Sequence, residues 1–284
     1  MSSKIVTRFA PSPTGFLHLG HAYSALFAFA AAKDARGRFL LRIEDIDPSR
    51  CRPAFEQQIY EDMAWLGLVW DVPVRRQSEH MDAYRHALSV LQARHLTYPC
   101  FCTRKDIEAE IEAAGGAPHG PDGPVYPGTC RHLSADERSA RIAANAPHAT
   151  RLDMDAALSC TEALIWHDLG IGERLAVPEK FGDVVLARKD TPTSYHLAVT
   201  LDDHLQGVTL VTRGMDLVEA TDIHRLLQSL LDLDVPTYHH HPLLLGPDGR
   251  RFAKRDQSQT LKSLRDEGVT AEDIKRTIAG MLDA

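Results

Sequence analysis

The order of apolar and polar positions divides the chain before any single residue is weighed. Lys4 to Phe9 reads as a short strand, followed by the Pro- and Gly-punctuated loop Ala10-Pro-Ser-Pro-Thr-Gly-Phe16. From His18 the pattern turns helical through about Arg36, where Gly37 ends it. Arg38 to Ile43 (RFLLRI) is a second strand that closes in the acidic run Glu44-Asp-Ile-Asp47. Pro53 opens a helix to about Leu66, at a position where its missing N–H costs nothing. Strand, helix, strand, helix predicts a parallel α/β sheet.

Beyond residue 97 the pattern changes. Cys100 to Cys130 encloses GGAPHGPDGP (115–124), which reads as irregular, and two strand-like runs, DVVLAR and SYHLAVTL, lie between Gly182 and Asp203. Residues 98–188 therefore read as an insertion into a sheet domain made of residues 1–97 and 189–237. The α/β pattern resumes with a strand at Gly207–Arg213 and a helix from about Ala220 to Leu231. A C-terminal segment, 238–284, carries a strand-like stretch from Tyr238 to Leu245, a Gly-Pro-Asp-Gly turn, a basic loop, and helices near 260–267 and 271–282. Thr270 with Asp273 three residues on predicts a capping box for the last helix.

Composition narrows the class. With 44% hydrophobic and 25% charged residues over 284 positions, the chain is an ordinary globular one with a sizeable core, not a disordered or collagen-like one. The longest apolar run, Ala22 to Ala32, contains Tyr23 and Ser24 and stops at Lys33-Asp34, so it reads as a buried helix and not a membrane span. The start, Met1-Ser-Ser-Lys-Ile, has no signal-peptide pattern, and five cysteines without secretory features point to a reduced compartment, the cytoplasm. The net charge of −7 means that a nucleic acid would have to meet a local basic patch. Asp248 to Arg265 offers one: six basic residues against two acids, net +4.

The sharpest chemical signal is His18-Leu-Gly20-His21 at the junction of the first strand and helix. A helix N-terminus presents unpaired N–H groups and partial positive charge, a natural seat for phosphate. Two imidazoles there can donate to phosphate oxygens as charge builds, and Gly20 permits close approach. Taken alone, the same pair reads as well as a helix cap. Far downstream, Arg250-Arg-Phe-Ala-Lys254-Arg255 forms a cationic loop suited to closing over a triphosphate. Cys100-Phe-Cys102 and Cys130 supply three thiols, a zinc set lacking one ligand, for which His119 and His132 are the chemically obvious candidates, His132 first. Cys51 and Cys160 stand alone. Asp45 and Asp47 suggest a metal pair only weakly, since Asp47 before Pro48 suits a turn. Gly170-Ile-Gly172 lacks the third glycine of a dinucleotide fingerprint, His239-His-His241 reads as strand packing, and Trp65 and Trp70 read as core.

His18-Leu-Gly-His21 together with Arg251-Phe-Ala-Lys254-Arg255 resembles the two signatures of class I aminoacyl-tRNA synthetases. Arg8-Phe9-Ala10-Pro11-Ser12-Pro-Thr-Gly, Arg42-Ile-Glu44-Asp-Ile-Asp47, Leu197-Ala-Val-Thr-Leu-Asp-Asp-His-Leu-Gln-Gly207 and Val211-Thr-Arg213-Gly-Met-Asp-Leu217 resemble the glutamyl branch in particular. Only 30 residues follow Lys254 (284 − 254), too few for a separate anticodon-binding domain. That truncation, with the cysteine-bearing insertion, resembles the glutamyl-queuosine tRNA(Asp) synthetase family.

The resemblance implies a Rossmann-like catalytic domain split by a zinc-bearing insertion, acting as a monomer. It implies ATP-dependent activation of L-glutamate without tRNA, with Mg²⁺, and transfer to queuosine in the anticodon loop of tRNA(Asp). His18, Gly20, His21 and Lys254 would hold ATP and stabilise the transferring phosphate. Arg8, Phe9, Ala10, Pro11, Ser12, Glu44, Tyr195 and Arg213 would bind glutamate: the arginines its carboxylates, Glu44 the ammonium, Tyr195 by a hydroxyl bond. It points to Tyr126 as the fourth zinc ligand beside Cys100, Cys102 and Cys130, with His132 the alternative. The family loop reads Lys-x-Ser-Lys, whereas Arg251 and Ala253 replace its first lysine and its serine here. Three other readings remain: a truncated glutamyl-tRNA synthetase charging a 3′ end, a nucleotidyltransferase of the wider H-x-G-H superfamily, disfavoured by the glutamate-site residues, and a non-catalytic zinc-bearing RNA-binding relative.

Overall fold

The computed structural model describes residues 4–113, 116–244 and 259–282. A first parallel sheet runs β1 (Val6–Phe9), β2 (Arg38–Ile43), β3 (Asp71–Arg76), linked by α1 (Leu19–Asp34) and α2 (Pro53–Trp65). β1 and β2 are short and almost wholly buried, as strands covered by helices are, whereas the edge strand β3 is partly exposed along its length. After α3 (Met81–Ala93) the chain enters a small antiparallel sheet. Its strands are β4 (Thr97–Cys100), β7 (Ala149–Leu152) and β10 (Val185–Ala187), with β7 in the middle. Between β4 and β7 lie α4 (Arg104–Ala113), a two-residue-stranded hairpin of β5 (His119–Gly120) and β6 (Gly123–Pro124), and α5 (Ala135–Ala143).

Past β7 come α6 (Met154–Ser159) and the hairpin β8 (Ile165–Asp168) and β9 (Gly172–Leu175), then, after β10, α7 (Tyr195–Leu205) and β11 (Leu210–Gly214). The chain continues through α8 (Ala220–Leu230), β12 (Thr237–His241), α9 (Leu261–Asp266) and α10 (Ala271–Leu282). β11 and β12 pair in parallel, β12 meets β8 through Tyr238 and Asp168, and β9 closes the edge. Thr209 stitches this sheet to the first: its N–H donates to the Val6 carbonyl at 3.0 Å and its Oγ1 accepts from the Val6 N–H at 2.9 Å. The result is the parallel, Rossmann-like architecture expected.

Three details differ from expectation. SYHLAVTL is not a strand: Ser194 caps α7 by accepting from the Leu197 N–H, and the helix buries Leu197 through Asp203 on nearly every side. A segment buried all round has no polar stripe, so its periodicity does not distinguish it from an inner strand. Residues 115–124 contain the β5–β6 hairpin, whose four strand residues are too few to register in a Gly- and Pro-rich stretch. Within 98–188, β8 pairs with β12 and β9 with β8, so this part of the stretch lies in the sheet of β11 and β12 and not apart from it. Nothing local announces a pairing across that sequence distance. Elsewhere the capping box at Thr270 and Asp273 forms, and Trp65 and Trp70 pack against the α1–α2 core. No helix among the described residues is long and apolar enough to cross a membrane.

The C-terminal helices are fastened to α2 by a buried acid. Asp62 is fully buried, accepting from Gln58 at 2.9 Å and from Arg265 of α9 at 3.2 Å, while its second oxygen has no hydrogen-bond partner. Burial pushes its carboxyl up to about 6, against the pull of Gln58 and Arg265. A carboxyl raised on folding contributes most below its unfolded pKa, and that contribution is lost as pH rises through the folded value. Asp62→Asn, which mimics the protonated form, should match the wild type near pH 4 and exceed it at pH 8 by about 2 kcal/mol in a denaturant titration.

Candidate active site

A cleft of about 550 Å³ opens at the carboxyl ends of β1 and β11, and it gathers residues far apart in sequence. Arg8, Phe9, Ala10, Pro11, Ser12, Glu44, Tyr195 and Arg213 all line it, together with His18, Gly20 and His21. The loop after β1 is held in place by backbone bonds: the Pro11 carbonyl accepts from Glu44 and the Pro13 carbonyl from Arg52, both at 3.0 Å. Gly214 is constrained as well, since a Cβ there would lie 2.5 Å from Asp216 Oδ1.

The two histidines form a reciprocal cap on α1. Nδ1 of His18 accepts from the Gly20 N–H at 3.1 Å, and Nδ1 of His21 accepts from the His18 N–H at 3.2 Å. In the neutral rings the proton therefore sits on Nε2, which makes that atom a donor. The rings stand 3.9 Å apart between centroids, and a Cβ on residue 20 would meet the His18 ring at 3.1 Å, so the glycine makes room for the imidazole itself. The capping and phosphate-facing readings are thus compatible in one geometry. Lys254, Arg251 and Ala253 lie outside the described residues. On either side of them, Leu244 lines the cleft and Thr260 bridges to His18.

Arg8 and Arg213 are both buried but differently partnered. Arg8 donates from Nε to Asp203 at 2.9 Å and from Nη1 to the Thr212 carbonyl at 3.1 Å. Asp203 also receives Arg42 at 2.9 Å, and these two arginines hold its carboxyl below the usual range despite the cost of burial. Arg42 reaches Gln206 and, at 3.5 Å, Glu44. Burial pushes the Glu44 carboxyl up, opposed by Arg42 and Arg8, so a cation arriving in the cleft would favour its ionised form. Among the described residues Arg213 has no carboxylate partner: Nε donates to His240 at 3.1 Å, Nη2 to Thr221 at 2.6 Å, and Nη1 lies 3.1 Å from His224 Nδ1.

Sequence reasoning missed Arg42, Asp202, Asp203, Asp168, Thr221, His224 and His240. The adjacent acids at 202 and 203 inside an apolar run were the available signal, because buried carboxylates need cations. Asp45 and Asp47 are engaged elsewhere and do not form a metal pair: Asp45 accepts from Ser78, and Asp47 from Ser49, Arg50 and Arg188. Gly170 and Ile171 donate to Asp168 in the β8–β9 turn.

A second cluster lies in the insertion. The sulfurs of Cys100, Cys102 and Cys130 lie within 4.8 Å of one another, and no His, Asp or Glu joins the group among the described residues. His119 and His132 stand outside it, whereas the Tyr126 hydroxyl is 3.4 Å from Cys100 Sγ and 3.5 Å from Cys102 Sγ. α4 and α5 bury no residue fully, so Tyr98, Cys100, Tyr126 and Cys130 are the small core of this region. Three converging thiols in a region so poor in apolar burial fit a structural zinc ion.

The model of tRNA synthetases class I (E and Q), catalytic domain, matches residues 4–281. The glutamyl-Q tRNA(Asp) synthetase of Rhodobacter capsulatus is 50% identical over 96% of this chain and 99% of its own length, and that of Symbiobacterium thermophilum 43% over 97% and 87%. The glutamate–tRNA ligase of Aquifex aeolicus is 38% identical over 95% of this chain but only 55% of its own. A crystal structure of glutamate-tRNA synthetase from Elizabethkingia anophelis superposes with a TM-score of 0.77 at 31% identity, covering 89% of this chain. The chain spans about half the length of that solved protein, 53%.

The His240 environment makes a pH prediction. Burial and the neighbouring Arg213 bring its imidazole down to about 4, although Asp168 opposes them. The unfolded chain binds this proton at higher pH, so stability is lost as pH falls from about 6.5 through 4. In His240→Gln the decline of Tm over that interval should be shallower than in the wild type, as thermal melts at half-unit steps would measure.

Proposed function

The chain belongs to the catalytic-domain family of class I glutamyl- and glutaminyl-tRNA synthetases and is a ligase of that kind, and on that premise we propose that it activates L-glutamate with ATP, without tRNA, and passes the glutamyl group to queuosine in the anticodon loop of tRNA(Asp). The observation that carries the amino-acid half is Arg213, a buried cation facing the cleft with no acid bonded to it among the described residues. Such a site favours an anion, and Arg8 and Glu44 beside it suit the second carboxylate and the ammonium of a free amino acid. The acceptor half rests on the relatives named glutamyl-Q tRNA(Asp) synthetase, which this chain matches over most of their length.

In this reading the glutamate α-carboxylate oxygen attacks the α-phosphorus of ATP, the bond to the bridging oxygen breaks, and pyrophosphate leaves. His18 and His21 donate from Nε2 to the transferring phosphate, and the role the resemblance gives Lys254 is to stabilise the departing pyrophosphate. Mg²⁺ accompanies ATP and neutralises phosphate charge when bound. Positioning and charge stabilisation carry the step, since no protein nucleophile is needed. Cys100, Cys102, Cys130 and Tyr126 would hold zinc, which supplies folding energy to the insertion and takes no part in the reaction.

Glutamate-dependent ATP–pyrophosphate exchange in the absence of tRNA is the expected activity, and His21→Ala should reduce it by about a hundredfold or more. Labelled glutamate should reach tRNA from normal cells but not from cells unable to make queuosine. Equal labelling of both pools would mean 3′-end charging, and no exchange and no label would leave a non-catalytic RNA binder. For the metal, purified protein should carry one zinc per chain by elemental analysis. Cys102→Ser should lose it along with protease resistance confined to the insertion, and full retention would remove the assignment.

A further inference from the structure

The contacts of Arg213 continue outward in two directions. His240 accepts from Arg213 at Nε2, so in its neutral form it carries the proton on Nδ1, 2.7 Å from Asp168 Oδ2. Asp168 is itself fully buried and fixed by the N–H groups of Gly170, Ile171 and His240. On the other side His224 faces Arg213 with Nδ1 and therefore carries its proton on Nε2, 3.2 Å from Nδ1 of His196. His196 then presents its own N–H to Asp122 in the β5–β6 turn, 3.5 Å away. Every proton in both chains points away from Arg213, and each chain ends on a carboxylate.

We infer that His240 and His224 are positioning residues for Arg213, held as neutral acceptors by Asp168 and by His196 with Asp122, and that they make the cleft selective for a carboxylate side chain over a carboxamide. The inference rests on the glutamate-activating reading and deepens it. Of the five guanidinium N–H groups, three are spent on His240, His224 and Thr221, which leaves two for a ligand, the number that grips both oxygens of a carboxylate. The acceptors chosen are uncharged. An acid in place of either histidine would fix the arginine equally well but would supply the negative charge that the ligand is meant to bring. Histidine backed by an acid fixes the guanidinium and leaves that place to the ligand. A carboxamide brings no charge and turns an N–H donor toward a donor, so it loses on both counts.

The tautomers are the weak point of the arrangement. If Asp168 were replaced by Asn, the amide could donate to His240 Nδ1, the ring proton would move to Nε2, and an N–H would then oppose the arginine N–H. His240→Leu removes the acceptor outright, and His240→Gln restores one without the link to Asp168.

The test is calorimetric binding of L-glutamate and L-glutamine, paired with exchange kinetics, on wild type, Asp168→Asn, His240→Leu and His240→Gln. Asp168→Asn and His240→Leu should each weaken glutamate binding by about tenfold or more. They should narrow the glutamate-to-glutamine ratio, with kcat at saturating glutamate changed far less than KM, and His240→Gln should recover part of the loss. ¹⁵N spectra of histidine-labelled wild type should show His240 protonated on Nδ1 and His224 on Nε2, a readout that survives if a variant fails to fold. The opposite tautomers, or folded variants with the wild-type ratio, would overturn the inference. Wild type that binds neither amino acid would overturn the proposed function instead, while the spectra would still decide the tautomers.

Discussion

The molecule is organised around two adjacent acids on one buried helix. Asp203 of α7 receives Arg8 from β1 and Arg42 from β2, and Asp202, one residue earlier, receives Arg75 from β3 at 2.7 Å, Gln77, and Tyr84 from α3. Three arginines and the three acids Glu44, Asp202 and Asp203 thus meet in the interior with their charges balanced. Burying so many ions is costly and adds less to stability than apolar packing would. What it gives is position, because each strand of the first sheet is referred to the same turn of one helix. Removing a single member strands the others without water, so the group stands or falls as a unit.

That arrangement explains why the two cleft arginines are not equivalent. Arg8 is part of the scaffold: its charge is met by Asp203, and what it offers a ligand is a held edge. Arg213 belongs to the second sheet, where neutral oxygen and nitrogen atoms satisfy it and its charge remains to be met. The cleft thus sets Arg8, whose charge Asp203 meets, beside Arg213, which among the described residues has no carboxylate bonded to it, on strands that touch through Thr209. A sheet with its ligand site at the carboxyl ends of its strands brings such groups together without any local sequence signal.

Much of this was legible in the residues. Turn punctuation and apolar runs placed β2, α2, α8 and α10 to within a residue or so, because Pro53, Gly37 and the capping pair Thr270 and Asp273 act locally. The residues of the cleft could be named because their spacing resembles a family pattern. Illegible were the elements whose character depends on partners distant in sequence. α7 looked like a strand because its neighbours cover all of it, and β8 looked like part of an insertion because its partner β12 comes some seventy residues later. The acceptors around Arg213 were hidden for the same reason: Asp168, Thr221, His224 and His240 become a group only when β8, α8 and β12 converge.

The run His239-His240-His241 shows how closely the two halves of the cleft are tied. Pleating sends His240 toward Arg213 and Asp168, while His239 and His241 turn to α1, where His241 meets Ser24 at 3.0 Å and both rings lie against Phe27. One strand thus serves the amino-acid end with one face and the helix behind His18 and His21 with the other. A slip of one residue would exchange the two faces at once. The link between α8 and β12 is thus a ruler: drift that lengthens or shortens it by a single residue damages both ends together, and neither can be retuned by moving this strand alone.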